Sequence, residues 1–93
     1  MKYKVGDRVK LKNFGGRVPY RRACKKFGIQ PYWTDYKRYY NRFKNTIFTI
    51  TEIWDREGQY DIQAGDLMLT MDEFKLEYPV TLRKRLSLLK DLK

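Results

Sequence analysis

The hydrophobic period of this chain changes twice, and that alternation restricts the folds open to it. Gly6-Asp7 offers turn chemistry, after which Val9 and Leu11 alternate with Arg8, Lys10 and Lys12. A period of two is that of a half-buried strand, with the three cations on the watered face. Asn13-Phe14-Gly15-Gly16 breaks it. Over residues 18–43 the period lengthens to about 3.6, the repeat of an α-helix. Pro19 suits a first helical position, and 20–27 reads as two turns stopped by Gly28 and Pro31. A second helix is expected over 34–43, with Thr34 as N-cap, Asp35 in its first turn and Arg42 and Lys44 towards its end, as the helix dipole favours. Tyr32, Tyr36, Tyr40 and Phe43 fall on one face of it.

Beyond residue 45 the period returns to two. Residues 46–54 are rich in β-branched and aromatic types, with Phe48 and Ile50 on one face and a shift to Ile53 that predicts a bulge near Glu52. Asp55-Arg56-Glu57-Gly58 reads as a hairpin loop, and 59–63 returns with Tyr60 and Ile62 inward. Ala64-Gly65-Asp66 turns the chain into a short strand at 67–69. Thr70-Met71-Asp72-Glu73 has capping-box spacing, which predicts one helical turn, and Phe74, Leu76 and Tyr78 alternate in a last strand ended by Pro79. Residues 80–93 are helical in period, with Leu82, Leu86 and Leu89 in one row. The expectation is a single domain over 1–93, mainly β, with a helical insertion at 18–43 and a C-terminal amphipathic helix at 80–93.

Val5-Gly6-Asp7-Arg8-Val9-Lys10, the stretch 46–53, Tyr60-Asp61-Ile62 and Leu69-Thr70-Met71-Asp72-Glu73-Phe74 resemble the short SH3-like β-barrel proteins of phages and mobile elements. More loosely, they are similar to KOW-type and Tudor-like barrels. The likeness covers about 45–50 residues, in two pieces either side of the helical segment, and its motifs speak to fold more than to function. It implies a small five-stranded SH3-like barrel with a helical segment inserted between strands 1 and 2. It also implies a phage-encoded accessory protein at work in the host cytoplasm. No site residue is carried over from it.

The residue inventory argues against an enzyme. There is no histidine, the commonest general base and metal ligand. Ser87, the only serine, lies in the Leu-rich tail rather than on a sharp turn. Cys24 stands among Arg21, Arg22, Lys25 and Lys26, but no Cys–His pair is available to it, and a small helical core residue is the simpler reading. A lone cysteine makes no disulfide framework, which suits a reducing cytoplasm. No catalytic residue, metal or cofactor is expected. No segment approaches the roughly 18 apolar residues of a spanning helix, so no membrane is expected either.

Charge is what points to a partner. Residues 1–45 carry fourteen Lys/Arg against Asp7 and Asp35, a net +12; residues 46–79 carry Arg56 and Lys75 against eight Asp/Glu, a net −6. Such a surface draws polyanions. Candidate nucleic-acid contacts are Lys10, Lys12, Arg17, Arg21, Arg22, Lys25, Lys26, Lys37, Arg38, Arg42 and Lys44, with Trp33 and Tyr39, which lie off the aromatic stripe, as stacking rings. The stripe itself reads first as core, and a charge run is often only a solvated face. No recognition-helix or aromatic ribonucleoprotein motif is present, so binding would follow backbone and shape, with DNA against RNA left open. The alternative is a protein-interaction module that docks on and modulates an acidic host protein or a ribonucleoprotein complex. There the Leu82, Leu86 and Leu89 row is either a partner or self-association helix, or a helix docked on its own barrel.

Overall fold

The computed structural model describes residues 2–79. Its elements run β1 (Arg8–Leu11), α1 (Arg17–Lys26), α2 (Trp33–Phe43), β2 (Phe48–Trp54), β3 (Gln59–Ala64), β4 (Leu67–Asp72), a 3-10 turn (Glu73–Lys75) and β5 (Leu76–Glu77). The C-terminal helix expected over 80–93, with Leu82, Leu86 and Leu89, lies outside the described residues.

The strands form one five-stranded antiparallel sheet in the order β4-β3-β2-β1-β5, and both helices fall between β1 and β2 in the chain. Strand β1 serves two neighbours. Arg8 and Val9 pair with Thr49 and Phe48 of β2, while Lys10 and Leu11 pair with Glu77 and Leu76 of β5. Among the described residues no pairing joins β4 to β5, so these are the two edges. The turn before β1 is built on Gly6, whose φ of 94° a side chain would strain, and Asp7 locks it by accepting from the Lys4 N–H. The expected bulge is present: the β2–β3 register shifts between Ile50 and Glu52.

Two aromatic-rich clusters follow from this layout. Tyr3, Val9, Leu11, Phe48, Ile50, Tyr60, Ile62, Met71 and Leu76 form the core of the sheet. Tyr20 and Cys24 of α1 close on Tyr36 of α2, with Phe14, Ile29, Trp33 and Phe74 around them. Tyr40 packs against both clusters. The Tyr36 hydroxyl donates to the carbonyl of Lys12, 2.5 Å away, and so ties the helices to the end of β1. Cys24 is fully buried in this packing.

Four local expectations are corrected. Helix α1 starts at Arg17, so Pro19 sits inside its first turn, where its missing N–H costs nothing. Helix α2 starts at Trp33, with Tyr32 rather than Thr34 at the N-cap. Strand β4 is six residues long, and the helical turn after it is not held by a capping box: Thr70 Oγ1 donates instead to Asp61 across the β3–β4 pair. The last strand shrinks to Leu76–Glu77, because Phe74 belongs to the 3-10 turn.

Candidate nucleic-acid interface

Helix α1 has a buried stripe, Tyr20 and Cys24, and apart from Val18, Pro19 and Ala23 the rest of the helix is cationic. Arg17, Arg21 and Lys25 recur at four-residue steps and therefore form one row along the helix. Its C-terminus is fixed by a Schellman pair, the Gly28 N–H donating to Lys25 O and the Ile29 N–H to Cys24 O, with Gly28 at φ 67° and Ile29 packed on the helical cluster. The connector then turns back alongside α1. Tyr32 N–H bonds Gln30 O and Trp33 N–H bonds Pro31 O, and Tyr32 has the φ −77°, ψ 73° of an inverse γ-turn. These tight turns throw the Tyr32 ring outwards, where it is 66% exposed.

Two adjoining hollows lie between the α1 row and this connector. One, of about 310 Å³, is bordered by Arg17, Arg21, Tyr32, Trp33 and Asp35. The other, of about 430 Å³, is bordered by Arg21, Lys25, Ile29, Gln30 and Pro31. Arg21 and Pro31 are common to both. Lys12 and Lys26 meet elsewhere, around a hollow floored by Phe14 and Phe74.

The remaining candidates divide as follows. Arg22 is exposed on α1. Arg38 is two residues from the buried Tyr36 and so on the outer side of α2, where Lys37 and Arg42 are exposed too, and Lys44 is exposed just past its end. Tyr39 is exposed on the same helix. Lys10 does not join them. Its Nζ lies 3.6 Å from Glu77 Oε1, both side chains are half-buried, and the cross-strand register holds them opposite each other. Trp33 is likewise corrected as a free stacking ring: it is half-buried against Tyr20, with ring centroids 5.3 Å apart. Tyr32 takes that place.

Among the described residues, Lys10 and Lys75 are the cations within ion-pair reach of a carboxylate. The rest of the front-half cations have no carboxylate in ion-pair contact among the described residues. Lys75 holds Asp72, three residues before it, at 3.0 Å and lies over the Tyr20, Tyr36 and Phe74 rings, of which local spacing announces only the ion pair. Comparisons with family models, with curated proteins and with solved structures find no match to this chain.

Proposed function

We propose that this chain is a non-enzymatic binding protein whose basic helical surface takes nucleic acid through its phosphates. The observation that carries the reading is the row Arg17, Arg21 and Lys25, with Arg22 and Lys26 beside it, exposed and without a carboxylate in ion-pair contact among the described residues. Ordinary surfaces intersperse the two signs, and a helix kept this cationic repels itself unless an anion is its partner. The binding follows backbone and shape rather than sequence. The scaffold is read as an SH3-like barrel: β1 between β2 and β5, and a one-turn helix before the last strand, support that resemblance. A phage origin and work in the host cytoplasm belong to the same proposal.

The test is a titration of labelled DNA and RNA, single-stranded and duplex, at several salt concentrations. With about five cations on phosphates, log K falls against log salt with a slope of roughly −3.5 to −4.5. Replacing Arg21, Arg22, Lys25 and Lys26 together by Gln is expected to abolish binding at an unchanged melting temperature. If no polymer binds even at low salt, the reading fails, and the alternative of an acidic protein or ribonucleoprotein partner takes its place.

A further inference from the structure

The hollows on either side of Arg21 differ in chemistry from the other cationic surfaces, because one wall carries charge and the other carries a free ring. We propose that they form a single-strand site, in which Arg17, Arg21 and Lys25 hold successive phosphates and Tyr32 stacks on an unpaired base; this rests on the nucleic-acid reading above. Residues four apart on α1 climb about 6 Å per step, of the same order as the separation of successive phosphates in an extended strand. The guanidinium groups add bidentate contacts that an ammonium cannot make.

Tyr32 supplies the second half. It belongs to neither buried cluster and pairs with no other ring among the described residues, so its face is unspent in folding. A duplex keeps its bases stacked inside and offers this wall only phosphates, whereas a single strand offers both groups that the channel matches. The volumes, about 310 and 430 Å³, suit a nucleotide each, at the lower end of the range for small-ligand sites. Asp35 borders the same hollow as Arg17, Arg21 and Tyr32 and repels phosphate from its own side, which keeps the backbone against the α1 arginines and leaves the ring to the base.

The experiment compares oligo-dA, oligo-dT and the duplex annealed from them at one low salt concentration, using the full chain. Trp54→Phe leaves Trp33, which borders the channel, as the fluorescent reporter. The expected result is single-strand binding about tenfold tighter than duplex, with a change in Trp33 emission. Tyr32→Ala weakens single-strand binding on the order of tenfold and leaves duplex binding and melting temperature unchanged, and Tyr32→Phe restores it. Equal or tighter duplex binding, or a Tyr32→Ala variant that binds single strands normally, overturns the proposal. If Arg21→Gln then still weakens both polymers, the basic-surface reading survives without the channel; if neither polymer binds the parent protein, both fall.

Discussion

The hydroxyl of Tyr60 is the polar centre of the sheet core. It accepts from the Tyr3 N–H at 3.0 Å and donates to Glu73 Oε1 at 2.7 Å, while the Lys2 N–H reaches the same carboxylate oxygen. Tyr60→Phe keeps the ring packing but leaves a buried N–H without an acceptor. A loss of about 1–3 kcal/mol is expected in denaturant unfolding, whereas an exposed ring such as Tyr39 should tolerate the same change to Phe. Titration extends this. Burial alone would raise the Glu73 carboxyl, but the hydrogen bonds from Tyr60 and Lys2 outweigh it and hold the group below its ordinary 4.5. The unfolded chain therefore takes up this proton first, and the stability it confers is present above 4.5 and drains as pH falls through the folded value. The tyrosines give the opposite limb. Burial first, and then the bond to Glu73, push Tyr60 up to about 12, and burial also holds Tyr3, Tyr20 and Tyr36 above 10. Their contribution is complete below pH 10 and lost as pH climbs through the folded values. Denaturant midpoints against pH, followed with tyrosinate absorbance, are expected to fall at both ends, and Tyr60→Phe to flatten the acid limb. That Tyr60 faces inward is legible in its alternation with Ile62. Its partners are not, because they stand 13 and 57 residues away and only the strand register brings them together.

At the scale of elements, the end of α1 decides where the cationic row stops and the connector begins. Gly28 lies at φ 67° with nothing within 4 Å of where a Cβ would stand, so the cost of Gly28→Ala is conformational, with no steric clash. About 1 kcal/mol is expected, read as a lower melting temperature, along with weaker single-strand binding as the connector shifts against Arg21. The stop at Gly28 was legible from glycine and proline alone. The start of α2 was not. Tyr32 keeps the four-residue step of the stripe, and periodicity therefore assigns it to the core with Tyr36 and Tyr40. The helical phase begins one residue later, after two tight turns, and a ring at the N-cap no longer shares the buried face. Trp33 moves the other way, inward onto Tyr20. Thr70 misled for a related reason: capping-box spacing is local, while its hydroxyl finds Asp61 on a neighbouring strand. Lys10 alternates with Val9 and Leu11 as a solvent-facing cation should, yet pairing with β5 sets Glu77 opposite it. Only tertiary register reveals that.

For the whole molecule, charge order in the chain becomes charge order among the elements: the two helices carry eight cations and the single acid Asp35, whereas most of the acids fall between the start of β2 and the end of β5. This part was readable from the sequence because the helices are one contiguous insertion. It sets two opposing salt effects. The free protein strains against its own positive helical surface, so screening should raise its melting temperature modestly as salt increases. A bound polyanion relieves the same repulsion and stabilises by mass action, about 2.7 kcal/mol when its concentration is a hundredfold above Kd. For a domain of this size that is a rise on the order of ten degrees. With a slope near −4, a fourfold increase in salt weakens binding a few hundredfold, and the gain collapses to roughly a few tenths of a kcal/mol. Melting curves with and without single-stranded oligonucleotide, recorded across that salt range, are expected to start well apart and converge, the free protein rising as the complex falls. A bound-state gain that persists at high salt would mean the ligand is held by something other than phosphate contacts. A free protein that loses stability with salt would mean its cations are already neutralised within the fold, and the basic surface would then have no repulsion for a partner to relieve.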